Sequence, residues 1–230
     1  MTETTGAAGA VVTLGEEIML LSLDDESGAV RSRQAAGWAV AGGILLELVM
    51  AGRVTVTGKY LGVADRTPTG EPLLDGRLAL MDAWMKGRSK RRVADWLTRD
   101  HMKAVGAAVE RLAERGLVAE QRHKVMGLFP VRRYPESDGS AERALRARLN
   151  AAVLDKASEP DERTAGLIAL LHAAKLHSLA FPDLSRRQVA PRMAEIAAGE
   201  WAAESVRLAI RDMQAAVIAA TAAATAAAVS

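Results

Sequence analysis

The sequence predicts a mainly α-helical protein: a single globular helical domain with a buried central helix and two peripheral β-hairpins. Half of its 230 residues are hydrophobic but only 3% are aromatic, so the core must be aliphatic and alanine-rich, which favours closely packed helices. The stretch 34–54 carries no charge from Ala35 to Leu46, as expected of a helix that is buried on every side. Two stretches with alternating polar and apolar residues around a turn predict the hairpins.

The beginning of the chain predicts a tail followed by a helix. Residues 1–12 are predicted to be a flexible N-terminal tail, and residues 13–230 one domain, because we find neither an internal repeat nor a clear interdomain linker. Thr13 is a candidate N-cap. Glu16 and Glu17 lie in the first turn, where the helix dipole favours negative charge.

The central helix is predicted to lie in the protein core. Its uncharged run is shorter than the roughly 20 residues needed to cross a bilayer. Gly37, Gly42 and Gly43 would let neighbouring helices approach closely, and Gly52 is a candidate C-cap. Trp38, within this helix, is expected to pack in the core.

The next segment predicts a hairpin, a helix and a basic link. Residues 53–65 alternate in polarity around Gly58-Lys59, which predicts the first hairpin. Apolar residues from Leu73 to Trp84 mark a helix. The run 86–92, KGRSKRR, is predicted to link this helix to the next. Such runs are most often solvated surface, although basic clusters also bind phosphates or anionic surfaces.

A shorter helix over 93–97 and another over 101–115 are predicted before the second hairpin, LVAEQRHKVMGLFPVRRYPES. The hairpin tip carries Leu128 and Phe129. An exposed apolar patch marks an interface, so the tip is expected to contact a membrane, another subunit or its own domain.

The rest of the chain predicts four more helices, over residues 141–156, 161–178 and 185–198 and from Trp201 onward. The last helix fades into an uncharged, alanine-rich tail. Alanine is only weakly hydrophobic, so we predict a core-packing or fraying helix and not a membrane span.

No catalytic set is found, and no enzyme activity, cofactor or metal is expected. The absence of cysteine excludes disulfides and thiolate metal sites. The histidines lack the i, i+4 pairing with a glutamate that makes a zinc site, and His172 and His177, five residues apart, should not share a helix face. A net charge of +2 is too small to indicate nucleic-acid binding by itself.

Several segments, in this order, resemble the Golgi phosphoprotein 3 family of peripheral membrane proteins. They are TLGEEIMLLSLDDESG at 13–28, GGILLELVMAGRV at 42–54, TPTGEPLLD at 67–75 and VERLAERGLVAEQ at 109–121, with a weaker match, LNAAVLDKASEPDERTAGLIALLHAAKL, at 149–176.

The resemblance implies a helical core with peripheral hairpins, and an adaptor that binds phosphatidylinositol 4-phosphate. In the family, a tryptophan and several arginines hold the headgroup while a hydrophobic hairpin enters the bilayer, and the eukaryotic members retain glycosylation enzymes in the Golgi. Short segments, few aromatic residues and frequent Ala, Arg and Gly suggest a bacterial, actinobacterial-type member.

The family's headgroup residues fall on other residue types here. The tryptophan position corresponds to Ser32 or Arg33, depending on a one-residue gap. The arginine at the start of the central helix corresponds to Ala41, and the two arginines before the second hairpin to Met102 and Val105. A headgroup site would therefore need other cations.

Candidate lipid-binding residues follow from this comparison. Arg31, Arg33 and Lys103 lie beside the altered positions and are candidate headgroup ligands, with a solvated surface as the alternative. At the hairpin tip, each buried apolar side chain would contribute on the order of 1.5 to 3 kcal/mol and each basic neighbour about 1 kcal/mol, which is enough for reversible attachment to anionic lipid. The predicted membrane-contacting residues are Arg122, His123, Lys124, Val125, Met126, Leu128, Phe129, Arg132 and Arg133.

Two alternatives to a peripheral membrane protein stay open. One is a protein-interaction scaffold of the same fold that has lost phosphoinositide binding. The other is a winged-helix DNA-binding module over residues 91–134, with helix 101–115 in the major groove, although Glu110 and Glu114 on that helix oppose phosphate contacts. The expected partners are anionic lipid, with phosphatidylinositol 4-phosphate as a candidate, a protein client and a second copy of the chain. Nucleic acid is not expected.

The expected location is the cytoplasm, at the inner face of the membrane. The N-terminal sequence has no basic n-region and only a short, weak apolar stretch, so a secretory signal is not predicted.

Overall fold

The computed structural model describes residues 12–24, 27–125, 129–135, 137, 139–155, 159–198 and 204–227. These residues form a mainly helical domain, as predicted. Its helices are α1 Leu14–Ser22, α2 Arg33–Met50, α3 Pro72–Met85, α4 Val93–Glu114, α5 Ser140–Leu154, α6 Glu162–Ala173, α7 His177–Ala180, α8 Arg186–Ala198 and α9 Glu204–Ala227. Its strands are β1 Val54–Thr57, β2 Tyr60–Val63, β3 Arg91–Arg92, β4 Gln121–Val125 and β5 Phe129–Arg133.

The first helix begins where the sequence predicts. The hydroxyl of Thr13 accepts the N–H of Glu16, and the Glu16 carboxylate accepts the N–H of Thr13 at 2.8 Å, which forms a capping box. Of the tail predicted over residues 1–12, only Val12 lies among the described residues, and its carbonyl accepts a hydrogen bond from Arg163.

Helix α2 is the buried central helix. It packs against α1, α4, α6 and α9, and its middle turns have almost no exposed surface. The glycines permit this packing: a Cβ at Gly37 would lie 3.1 Å from the carbonyl oxygen of His101 on α4, and one at Gly43 would lie 3.1 Å from backbone atoms of α1. The helix ends at Ala51, and Gly52 follows with φ +70°, as expected of a C-terminal glycine.

The first predicted hairpin forms part of a three-stranded antiparallel sheet. β1 and β2 pair as predicted, and β3 adds to the open side of β2 with Tyr60 opposite Arg92. Residues 86–92 are therefore not a simple link. The N–H of Val93, a buried residue at the start of α4, donates to the carbonyl of Lys59 at 2.9 Å, and this bond holds the end of the run against the sheet.

Helix α4 is a single helix of 22 residues, so the prediction of separate helices over 93–97 and 101–115 is wrong. The polar residues between them fit within one helix. The hydroxyl of Thr98 donates to the carbonyl of Ala94, and Asp100 is buried in a salt bridge to Arg77. The helix order on which the winged-helix alternative depends is therefore absent.

The C-terminal helices complete the core. The helix predicted over 161–178 is interrupted at Lys175, which has φ 59°, so it forms α6 and the short α7. Helix α9 packs on α2, α4 and α6, with Met213 and Val217 fully buried, and so it contributes to the core as predicted. Its predicted start at Trp201 lies outside the described residues.

None of the helices described is both long enough and apolar enough to cross a membrane.

Candidate functional site

The second predicted hairpin is a two-stranded ribbon. β4 and β5 are antiparallel, and the register pairs Gln121 with Arg133 at the base and Val125 with Phe129 near the tip. Apart from this pairing, neither strand packs extensively against any other element among the described residues. The ribbon therefore extends away from the helices that form the core.

The base of the ribbon is attached to the loop between α1 and α2. The N–H of Tyr134 donates to the carbonyl of Gly28 at 3.1 Å, and the N–H of Ala119 donates to the carbonyl of Pro135 at 2.9 Å. Gly28 has φ +59°, and a Cβ there would lie 2.3 Å from the backbone nitrogen of Tyr134. Only glycine lets the loop and the ribbon approach this closely.

The side chains predicted to contact a membrane lie outside the described part of the structure. Only backbone is described for the strand residues from position 122 onward, and nothing is described for residues 126–128. The hairpin is thus confirmed as a backbone element, and its contact with lipid stays a prediction.

The start of α2 carries two of the three candidate headgroup residues. Arg31 is half-buried, and its guanidinium reaches the carbonyl of Leu23 at 3.5 Å. Arg33 is exposed in the first turn of the helix. Ser32 between them is the N-cap residue but has a left-handed backbone, φ 48°, and its side chain makes no capping hydrogen bond.

A cavity of about 350 Å³ lies beside this helix start. Ser32, Gln34 and Trp38 line it from α2, Lys175 from the turn after α6, and Ile218 from α9. None of the three candidates, Arg31, Arg33 and Lys103, is among its lining residues.

Lys103 lies elsewhere. It is exposed on α4 and lines a smaller cleft between α3 and α4, together with Trp84, Trp96 and Arg99. The structure therefore does not bring the three predicted headgroup residues together in one pocket.

The positions that correspond to the family's arginines are largely apolar packing sites. Ala41 is 1% exposed and Val105 is 3% exposed, and both belong to the core, whereas Met102 is 40% exposed. The side chains of Ala41 and Val105 are therefore not available to a headgroup.

Trp38 packs in the core, as predicted. Its ring stacks on that of His101, with centroids 4.2 Å apart and planes at 2°. The ring nitrogen Nδ1 of His101 lies 3.0 Å from the carbonyl of Thr98. This stack joins α2 to α4 beside the helix start described above.

The sequence reasoning missed a buried ionic network. Glu16 and Glu17 were expected to interact with the helix dipole, but they pair with Arg115 and Arg163, each at 2.7 Å. Arg163 also donates to Glu47, the only charged residue inside the apolar stretch of α2. That lone charge was the available signal, since a buried carboxylate needs a cationic partner.

Burial controls the ionisation of Glu47. Its Oε2 accepts the N–H of Leu14 at 2.8 Å, and its Oε1 accepts Arg163 at 3.2 Å. Desolvation raises the pKa of Glu47 to about 7, although Arg163 and the Leu14 N–H oppose the increase.

Two histidines meet across the break between α6 and α7, although they do not share a helix face, as predicted. His172 lies in the last turn of α6 and His177 begins α7, and the turn at Lys175 brings Nδ1 of His172 within 3.1 Å of Nε2 of His177. Burial lowers the pKa of both imidazoles, and the positive charge of Arg186 lowers both further. Within the described ranges, no group of three or more potential metal-ligating side chains is found.

Comparison with known proteins places these features in context. The profile of the Golgi phosphoprotein 3 (GPP34) family matches residues 14–213. Vacuolar protein sorting-associated protein 74 of Eremothecium gossypii is 29% identical over 163 residues, which cover 60% of this chain and 48% of that protein. The matched region is thus about half of that relative.

Proposed function

The chain belongs to the Golgi phosphoprotein 3 family, and we propose that it is a peripheral membrane adaptor without catalytic activity, which docks on anionic lipid through the β4–β5 hairpin. The lipid would be recognised mainly by charge and by insertion of the tip. Binding of phosphatidylinositol 4-phosphate by a specific pocket is the narrower form of this proposal.

The isolation of the β4–β5 ribbon is the observation that carries the proposal. A ribbon that leaves the core without packing extensively on another element, among the residues that the structure describes, needs a contact elsewhere for an apolar tip. The register pairs Arg122 with Arg132 across the two strands. Leu128 and Phe129 lie between these two arginines in the sequence, so basic residues flank the apolar tip on both strands. An apolar tip flanked by cations suits the boundary between headgroups and acyl chains.

The attachment of the ribbon to the loop before α2 supports the narrower form. The hydrogen bond between Tyr134 and Gly28 fixes the hairpin base a few residues before Arg31 and Arg33. A headgroup bound near the base of the hairpin would lie close to these arginines. Lys103 is the weakest of the candidates, because it lines a different cleft.

Liposome flotation tests the proposal. The full chain is mixed with vesicles of neutral lipid, of generic anionic lipid and of anionic lipid containing phosphatidylinositol 4-phosphate, each at low and high salt. Leu128→Asp/Phe129→Asp should abolish flotation. The matched control is Leu80→Asp/Leu154→Asp, which changes two leucines that are 51% and 54% exposed elsewhere and should float like the parent chain.

The outcomes separate the two forms. Equal, salt-sensitive binding to both anionic mixtures supports docking by charge and tip, whereas binding to the phosphoinositide mixture alone supports a specific pocket. Absence of flotation in every mixture would overturn membrane docking. A lower melting temperature for the Leu128 and Phe129 variant alone would mean that the tip packs within the protein.

A scaffold that does not bind lipid is the second candidate. Its support is the burial of Ala41 and Val105, at positions where the resemblance implies headgroup arginines. Such a protein would still bind a client protein. Absence of flotation in every lipid mixture would favour this scaffold hypothesis.

A further inference from the structure

We propose that the region where β3 meets α3 and α4 binds an acidic segment of another protein. This surface, here called the basic corner, consists of Lys59, the lysines and arginines of residues 86–92, and Arg99 and Lys103 of α4. The proposal is independent of membrane docking. The basic corner occupies the N-terminal half of α4 as far as Lys103, whereas the hairpin follows the C-terminal end, about 17 Å further along the helix.

The positive charge of the basic corner is not neutralised within the described part of the protein. All its cations are exposed except Arg91, which is half-buried, and none of them forms an ion pair with a described residue. The carboxylates closest in sequence have other partners: Asp82 binds Arg66 at 2.8 Å, and Asp100 binds Arg77 at 3.0 Å. Asp95, in the first turn of α4, is favoured there by the helix dipole.

Aromatic rings hold several of these cations in place. The ammonium groups of Lys59 and Lys90 lie 5.7 and 5.1 Å from the centre of the Tyr60 ring, and the guanidinium carbon of Arg91 lies 4.5 Å from that of Trp84. These are cation–π distances. Side chains that are already ordered lose less conformational entropy when a partner binds, so the corner is prepared to receive an anion.

Two cations of the basic corner lie one turn apart on α4, and both interact electrostatically with the carboxyl group of Asp100. Arg99 and Lys103 are four residues apart and both line the cleft beside Trp84 and Trp96. Like charges at this spacing destabilise a helix. Asp100, which also lines this cleft, already pairs with Arg77, so a carboxylate from a partner would further reduce the repulsion.

The shape of the basic corner favours a flexible chain over a flat bilayer. Arg91 and Arg92 are consecutive strand residues and therefore project to opposite faces of the sheet. Arg91 lies over Trp84, while Arg92 is paired with Tyr60 and exposed. The positive surface thus continues around the edge of the sheet at β3. A flat bilayer can contact only one face of the sheet at this edge, whereas an extended peptide can contact both faces.

Nucleic acid fits the corner less well. Single strands are usually bound by bases that stack on exposed aromatic rings. Here the rings of Tyr60 and Trp84 already face cations.

The dimensions define the segment. From Arg92 to Lys103 the helix rises about 16 Å at 1.5 Å per residue. An extended peptide covers this length with about five residues. The expected ligand is therefore a short run of Asp or Glu on a partner protein.

Fluorescence anisotropy with a labelled hexaglutamate peptide tests the inference on the full chain. Hexaglutamine is the uncharged control peptide. The test variant is Lys86→Glu/Arg88→Glu/Lys90→Glu, and the matched control is Arg186→Glu/Arg187→Glu/Arg211→Glu, which makes the same change in net charge at exposed positions outside the corner. A second variant, Arg99→Gln/Lys103→Gln, tests the α4 side without reversing charge.

Hexaglutamate should bind with salt-sensitive affinity, and hexaglutamine should not bind. The triple variant of the corner should bind hexaglutamate at least roughly tenfold more weakly than the parent chain does. The affinity of the control triple variant should stay within about twofold of the parent chain. Equal losses in both triple variants would mean that only net charge matters, and would overturn the inference. Tighter, corner-dependent binding of duplex DNA or of anionic vesicles than of the peptide would overturn it in favour of that partner.

Discussion

At the residue scale, Glu47 links the ionisation of one buried group to the stability of the fold. Its pKa rises from 4.5 to about 7 because burial disfavours the charged form. Between these two pH values the folded chain holds a proton that the unfolded chain has released. The stabilisation from this proton is complete below pH 4.5 and is lost as the pH rises to 7.

We therefore expect Glu47→Gln to reduce the pH dependence of stability. The amide cannot ionise, so it does not lose stability as Glu47 does. Relative to the parent chain, the free energy of unfolding of the variant should therefore increase by on the order of 1 to 3 kcal/mol from pH 5 to pH 8. Urea unfolding at several pH values measures this difference. Parallel curves for the two proteins over that range would show that Glu47 does not titrate there.

A second prediction concerns the buried pair Arg77 and Asp100. Their side chains are 8% and 4% exposed, and Arg77 also donates to the carbonyl of Lys103 at 2.5 Å. Arg77→Met should lower the free energy of unfolding by about 3 to 5 kcal/mol, because it leaves a buried carboxylate without its cation. The double variant Arg77→Met/Asp100→Leu should recover much of this loss in urea unfolding. A double variant no more stable than the single one would show that packing, and not charge, is responsible.

Single residues were predictable where the cause is local. Thr13 could be identified as a cap because its partner is three residues away, and Trp38 as a core residue because its whole helix is apolar. The ionic partners were not predictable, because Glu17 and Arg163 are 146 positions apart. Lys103 lines the cleft between α3 and α4, whereas its close neighbour His101 stacks on Trp38 of α2, because residues two apart point to nearly opposite sides of a helix. The grouping of Lys103 with Arg31 stays a prediction.

At the scale of elements, hairpins were predictable and helix continuity was not. The two-residue period and a central glycine identify β1 and β2. The polar run Thr98, Arg99, Asp100 resembles a break between helices, yet the Thr98 hydroxyl donates to the carbonyl of Ala94 in the same helix and Asp100 pairs with Arg77 of α3. β3 could not be predicted, because two consecutive arginines have no strand-forming pattern and pair only because β2 offers an open edge.

The hairpin base gives a prediction at this scale. Gly28→Ala should destabilise the attachment of the β4–β5 ribbon, because its Cβ would overlap the backbone of Tyr134. The matched control is Gly58→Ala, which has nearly the same φ, +57°, but has no atom within 4 Å of the added Cβ. We expect Gly28→Ala to lose about 1 to 3 kcal/mol more than the control, with faster amide exchange in the ribbon. Equal losses would mean that only the left-handed backbone matters.

At the scale of the whole molecule, α9 closes the core over α2. Val217 is fully buried, with a methyl carbon 3.6 Å from a Cβ placed on Gly42, whereas its neighbour Ile218 is 53% exposed. The fold class was predictable because the composition favours closely packed aliphatic helices, and because one predicted helix is apolar on every side. The identity of the helix that covers α2 was not predictable, since the alanine-rich sequence of α9 fits a frayed end equally well.

These neighbours allow a test of that closure. Val217→Asp should lower the free energy of unfolding by about 4 kcal/mol or more, because it buries a charge without a partner. Ile218→Asp should stay within about 0.5 kcal/mol of the parent chain. Thermal unfolding followed by circular dichroism measures both. Similar melting temperatures for the two variants would show that α9 does not seal the core.

The contact of Arg163 with the carbonyl of Val12 joins residues that are 151 positions apart. During translation, at about 5 to 20 residues per second, the arginine is added roughly 8 to 30 s after Val12. Until Arg163 is added, neither Glu17 nor Glu47 can pair with it, so α1 lacks part of the network that holds it in its final position. The nascent chain should therefore remain accessible to chaperones and proteases until α6 has left the ribosome.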